Sequence, residues 1–184
     1  MHLHLWRDSS NVFLTIEIHL FEANPHFNSA LVEAKERYLK KGKKINIYPS
    51  TVVGIKDGTQ TLYLDTVNTD NDFWGSSTHA DAPDALASQD KAVELTSVNL
   101  SRWLLMNTLP QDFVVIKMDI EGAEYEIIPH MAEMSAWTVV DFLLIEWHFR
   151  VLKEGGDPSE AKTKAAQKIL IANGVRMPDY DSPA

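Results

Sequence analysis

Short apolar runs alternate along this chain with segments of helical period. Residues 16–21 read as a buried strand that stops at a helix start over Glu22, Ala23, Asn24 and Pro25. Asn24 suits a helix N-cap, and Pro25 suits the first helical position, where a missing N–H costs nothing. Phe27, Leu31, Ala34 and Tyr38 then recur at helical spacing. They predict an amphipathic helix that stops before Gly42.

Residues 45–55 alternate weakly and are rich in β-branched side chains, and residues 61–64 alternate again after Lys56-Asp57-Gly58-Thr59. Asp-Gly between two such runs predicts a hairpin. Residues 67–91 turn polar and read as a long loop, a length that marks a functional lid or disorder. A short strand over 93–98 and a short helix over 100–106 follow. The run 113–118, broken by Lys117 and closed by Asp119, predicts a strand buried on both faces of a parallel sheet. Ala123, Ile127 and Met131 would then line the inner face of a helix that Pro129 ends or kinks after about two turns. Residues 139–147 read as another buried strand. Asp157-Pro158 opens a last helix with Ala161, Ala165, Ile169 and Ala172 inward, stopped by Asn173-Gly174.

Strands alternating with helices predict an α/β sheet with parallel neighbours and right-handed crossovers. The N-terminal end breaks the pattern. Residues 2–6 alternate, 7–11 are turn-like and 12–21 are strand-like, so the first residues are expected to fold back as an antiparallel hairpin.

Composition narrows the function classes. A length of 184 residues with 45% hydrophobic content fits one domain. A formal charge of −9 argues against nucleic acid or an anionic membrane as the main partner. The basic run Lys40, Lys41, Lys43 and Lys44 reads as the solvated end of a helix. Without cysteine there is no disulfide and no thiolate metal site. The sequence shows no apolar run near the roughly 18 residues of a membrane helix and no secretory pattern at its start, so a soluble, cytoplasmic protein is expected.

In an α/β sheet ligands bind beyond the carboxyl ends of the strands, and three predicted strands close on acids: Glu22, Asp119 and Glu146, the last followed by His148. A carboxylate such as Glu22 can accept hydrogen bonds from both hydroxyls of a ribose, or can simply sit near a helix N-terminus. Asp119, Glu121 and Glu124 crowd three carboxylates into six residues, which calls for a helix dipole, a cation or a cationic substrate, or makes one acid a candidate base. Lys117 reads as snorkelling or paired with an acid. Glu146 and His148 share a strand face, a pairing that suits a general base and equally a half-exposed histidine with no role. His2 and His4 also share a face, but with no third ligand in view no metal site is assigned.

The string Lys117-Met118-Asp119-Ile120-Glu121-Gly122-Ala123-Glu124 resembles the signature of FkbM-type methyltransferases. Phe21-Glu22-Ala23-Asn24-Pro25, Gly75-Ser76-Ser77 and Leu143-Leu144-Ile145-Glu146-Trp147-His148 fall in the same family's order, and the resemblance spans residues 16–174. It implies a Rossmann-like methyltransferase sheet, S-adenosylmethionine as cofactor and an oxygen of a sugar or other small-molecule acceptor as target. By the same resemblance Glu22 holds the ribose with Asn24 nearby, and Asp119 lies beside the methionine and sulfonium end. Glu121, Glu124 and His148 become acceptor-side or acid/base groups, with Asp119 among the catalytic candidates.

Two departures stand out. Ala23 replaces the family's usual proline, and the glycine-rich loop after the family's first strand has no counterpart, because the glycines here start at Gly42. Only glycine lets backbone N–H groups come close to the cofactor's carboxylate. The expectation is a partial domain over residues 16–178, truncated or degenerate, lacking the first strand, glycine loop and helix. A divergent segment 1–15 precedes it and a tail 179–184 follows. Such a chain is expected to bind the cofactor weakly. A cofactor-free interaction module and a metal-dependent hydrolase built on Asp119, Glu121 and Glu124 are the alternative functions.

Overall fold

The computed structural model describes residues 2–7, 16–71, 73–89, 91–148 and 158–180. Strand β1 (His2–Arg7) lies between β2 (Glu17–Glu22) and β7 (Val115–Asp119) and runs antiparallel to both. With β3 (Lys44–Pro49) and β8 (Phe142–Ile145) they form a five-stranded sheet of order β3-β2-β1-β7-β8. The pairs β2–β3 and β7–β8 are parallel. The expected fold-back of the N-terminal residues is therefore present as a β1–β2 antiparallel pair, while the turn expected over 7–11 and the start of the strand expected over 12–21 fall largely outside the described residues.

Asn24 caps a 3-10 turn (Pro25–Phe27) through its side chain, which accepts from the His26 N–H at 3.0 Å. The turn leads into α1 (Asn28–Lys40). Gly42, at a φ of 69°, lets the chain leave the helix in the left-handed conformation that L side chains avoid.

Residues 45–55 do not form one strand. Ser50 adopts a φ of 48°, and beyond it β4 (Thr51–Gly54) joins a second sheet of order β4-β6-β5, with β5 (Gly58–Tyr63) and β6 (Ala92–Asn99). The predicted hairpin is also absent, because β6 lies between β4 and β5, parallel to the first and antiparallel to the second. The Asp57-Gly58 turn is held instead by the end of β6 and the residues just after it. Asp57 accepts from the Asn99 N–H at 3.1 Å and from Arg102 at 2.6 Å. The long segment 67–91 carries a 3-10 turn (Thr69–Asn71) and a short helix α2 (Pro83–Ala87), so it is not structureless.

Helix α3 (Leu100–Asn107) follows β6 directly, capped by Asn99. Strand β7 is not buried on both faces. Ile116 and Met118 enter the core, whereas Val115, Lys117 and Asp119 stay half-buried on the other side. Helix α4 (Glu124–Glu133) buries Ile127, Ile128 and Met131 in the same core cluster as Leu143 and Ile145 of β8, with Ala123 just ahead of its first turn.

Pro129 does not end α4, which continues to Glu133. Proline cannot donate to the carbonyl four residues back. That carbonyl belongs to Tyr125, and it accepts from Thr163 Oγ1 at 3.2 Å. Thr163 lies on α5 (Pro158–Ala172), the helix packed along α4. The inner face of α5 is set by Thr163, Ala166 and Leu170. Ala161, Ala165, Ile169 and Ala172, expected inward, are exposed, because the small alanines on both sides of the helix left its apolar stripe ambiguous. Gly174 ends the helix with a φ of 101°, while the Asp157 cap lies outside the described residues.

Candidate functional site at the carboxyl edge of the large sheet

Strand register brings the predicted acids to one edge. Leu3 pairs with Phe21 on one side of β1, and His2 pairs with Asp119 on the other, so β2 and β7, one strand apart, end at the same sheet edge with Glu22 and Asp119. The backbone N–H of Glu146 continues the β7–β8 ladder to the Met118 carbonyl at 2.9 Å, which carries Glu146 and His148 to the same edge.

His148 is the centre of the group. Its Nδ1 lies 2.5 Å from Glu124 Oε1, and its Nε2 lies 3.4 Å from Glu121, 3.7 Å from Asp119 and 3.9 Å from Glu146. Glu124, in the first turn of α4, is fully buried. Lys117 and Asp119 share a face of β7, and Lys117 Nζ reaches Asp119 Oδ2 at 3.2 Å, the acid-paired arrangement expected of a lysine in an apolar strand.

Glu121 stands on strained backbone. Its φ is 52°, in the left-handed region, and Gly122 follows at 103°, so the chain turns sharply between β7 and α4. A non-glycine residue there costs on the order of 1–2 kcal/mol. Ser77 Oγ anchors the turn by donating to the Glu121 carbonyl at 2.7 Å.

The electrostatics follow from this crowding. Burial raises the Glu121 carboxyl to about 7; the facing His148 opposes the rise and Asp119 adds to it. Burial alone would lower the pKa of His148, but its hydrogen bond to Glu124 and the nearby charges of Glu121, Glu124 and Asp119 outweigh burial and raise it to about 9. Tyr125 is raised to about 12 by burial and by Glu124.

Beside these acids opens a cavity of about 680 Å³. Asp119, Glu121 and Glu146 line it from the sheet edge, Asp70 is a fourth acid in its wall, and Phe27, Leu31, Leu62, Phe73 and Trp74 are among its apolar lining. Asn24 and Ser76 face it from the polar side, joined by a 3.3 Å hydrogen bond. Arg37 is the cation among the described lining residues. Glu22 shares the sheet edge but is fully buried and absent from the cavity wall; its Oε1 accepts from the Asn24 N–H at 2.7 Å and so fixes the turn that presents Asn24.

The structure thus brings Asp119, Glu121, Glu124 and His148 together, with Asn24 across the cavity. Asp119, Glu121 and Glu124 do not act as one ligand set, because Glu124 is buried behind the imidazole. Sequence reasoning alone did not assign site roles to Ser76, Ser77 or the cavity-lining Phe73 and Trp74; the signal was the Gly75-Ser76-Ser77 string within the long polar segment. Arg37 carried no signal beyond its place one turn before the end of a helix.

A mixed α/β fold with an acid-lined cleft at the carboxyl edge of its main sheet is the class these observations define. Residues 6–171 match the Methyltransferase FkbM domain, and the chain belongs to that family. Neither a curated protein nor a solved structure matches it significantly. Membership gives family-level support for S-adenosylmethionine-dependent methyl transfer. No helix among the described residues is long and apolar enough to cross a membrane.

Proposed function

We propose that the cavity binds S-adenosylmethionine and an acceptor side by side, and that the chain supports methyl transfer to an oxygen of a sugar or other small molecule. The observation that carries this reading is the convergence of Asp119, Glu121 and Glu146 on a cavity that is otherwise largely apolar. Its volume is within the roughly 300–1,000 Å³ of small-molecule sites. The donor set suits the cofactor: aromatic and aliphatic walls for an adenine ring, Asn24 and Ser76 for ribose hydroxyls, and carboxylates for a cationic centre. When bound, the cofactor supplies an electrophilic methyl group.

The chain's own residues have distinct tasks in this scheme. Asp119, held by Lys117, orients the cationic end. Glu121, on the cavity wall, takes the proton of the acceptor hydroxyl on its carboxylate. Glu124 is a positioning residue that fixes His148, and Glu22 fixes Asn24. Phe73 and Trp74 exclude water from the apolar side.

Binding is expected to be weak. Among the described lining residues no glycine-rich loop offers backbone donors to the cofactor's carboxylate, which leaves Arg37 as its cationic partner. Two missing charge-assisted hydrogen bonds, at roughly 1.5–3 kcal/mol each, weaken binding by about a hundredfold to a ten-thousandfold.

The test is incubation with methyl-labelled cofactor and a panel of hydroxylated sugars and small molecules. Label should appear as a methyl ether, and Glu121→Gln should slow transfer by about a hundredfold or more while leaving cofactor affinity nearly unchanged. Equal transfer by Glu121→Gln would remove that residue from the reaction, and no transfer to any acceptor at saturating cofactor would count against the reading as a whole.

A further inference from the structure

We propose that Asp119, Glu146 and His148 form a binding site for one divalent cation that accepts both imidazole and carboxylate ligands, such as Mn²⁺ or Zn²⁺. One ligand atom from each lies within 4.8 Å of the others. Asp119 closes β7, and Glu146 and His148 follow directly on its parallel neighbour β8.

The separations around His148 Nε2 carry the argument. At 3.7 Å to Asp119 Oδ1 and 3.9 Å to Glu146 Oε1 they are too long for hydrogen bonds. They are close to the spacing of neighbouring ligands around an ion held at about 2.0–2.2 Å, which is roughly 3.3–3.6 Å for a tetrahedral set. A shift of a few tenths of an ångström would close the site.

The surroundings are those of a metal ligand. Metal-binding histidines commonly pass their second ring nitrogen to a carboxylate, which fixes the ring. Here the fully buried Glu124 does so from behind, at 2.5 Å, and leaves Nε2 facing Glu121, Asp119 and Glu146. Within the proposed ligand set one buried carboxylate oxygen, Glu146 Oε2, finds no hydrogen-bond partner among the described residues. Unpartnered buried carboxylate oxygens are costly, and a nearby cation offsets that cost. Four acids, Asp119, Glu121, Glu124 and Glu146, surround the two basic side chains Lys117 and His148.

Asp119 and Glu146 belong to the cavity wall, so the remaining coordination positions would face the cavity and could take an acceptor oxygen. That last role rests on the proposed methyl transfer, whereas cation binding does not. The experiment therefore omits both cofactor and acceptor.

Mn²⁺ is titrated into the metal-free full chain, free ion is counted by electron paramagnetic resonance, and pulsed spectra are searched for ¹⁴N modulation from a coordinated imidazole. The expected result is one saturable Mn²⁺ per chain with a ¹⁴N signal. Glu146→Gln should weaken binding at least tenfold, His148→Ala should abolish the ¹⁴N signal, and the exposed-acid variant Glu94→Gln should match wild type. If His148→Ala fails to fold, the wild-type ¹⁴N signal and Glu146→Gln decide the question. No saturable binding below millimolar Mn²⁺, or binding without ¹⁴N modulation, would overturn the assignment.

Discussion

His148 Nδ1 and Glu124 Oε1 meet at 2.5 Å, joining the chain after β8 to the first turn of α4. Glu124 is fully buried and His148 largely so, which makes the pair a structural clamp as well as part of the site. Removing one member of a buried pair strands the other, at about 3–5 kcal/mol. Glu124→Ala is expected to lower unfolding free energy in urea by roughly that amount, and Glu124→Gln, which keeps an acceptor, by about 1–2 kcal/mol. A loss under about 0.5 kcal/mol for the alanine variant would show that the pair does not hold the two segments together.

Thr163 and Pro129 should be energetically coupled. Thr163 Oγ1 satisfies the Tyr125 carbonyl that Pro129 cannot serve. Thr163→Val is expected to cost about 1–3 kcal/mol, since it leaves a buried acceptor short of a donor. In a Pro129→Ala background the restored helical N–H should take the same carbonyl, and the Thr163→Val cost should fall by at least about 0.5 kcal/mol. Identical costs in both backgrounds would mean that the threonine bond is incidental.

The segment before α2 carries its own acid sensitivity. Asp65 is buried, which pushes its pKa up, yet its hydrogen bonds from Asn68, Val67 and Gly75 prevail and hold the carboxyl below its ordinary 3.8. A carboxyl depressed in the folded state stabilises above its unfolded value, near 3.9, and that stabilisation is lost as pH falls through the lower folded value. Urea unfolding between pH 6 and the lowest pH at which the chain stays folded should show wild type losing stability relative to Asp65→Asn once pH drops below about 4. A difference between the two that stays constant over this window would contradict the assignment.

Much of the architecture was readable because period and punctuation agreed. Asn24-Pro25 marked a true helix entry, Gly42 and Gly174 true exits, and Asp119 a true strand end. The hairpin failed because Asp-Gly reports a local turn and not which strand comes to lie beside it. Here β6, about three dozen residues later in the chain, inserts between β4 and β5. The inner face of α5 was misassigned because its alanines fit either side, and Thr163 owes its buried place to a carbonyl on another helix. Pro129 does not end its helix, because that same threonine serves the carbonyl the proline leaves without a helical donor.

The site divides in the same way. The cluster of Asp119, Glu121, Glu124 and His148 follows from strand ends and helix starts, which a sequence shows. Two things depended on three dimensions: the burial of Glu22, and the position of Glu124 behind the His148 ring and off the cavity wall.

The central claim is that the acid-walled cavity is the cofactor site, and equilibrium titration of S-adenosylmethionine into metal-free protein, wild type beside Asp119→Asn, tests it most directly. The variant keeps the size of the side chain and removes the charge that faces the cavity. Saturable one-to-one binding is predicted, in the range of about ten micromolar to a millimolar, weakened about tenfold or more by Asp119→Asn, the equivalent of about 1.4 kcal/mol. No saturable binding up to several millimolar cofactor, or the same affinity in both proteins, would contradict it.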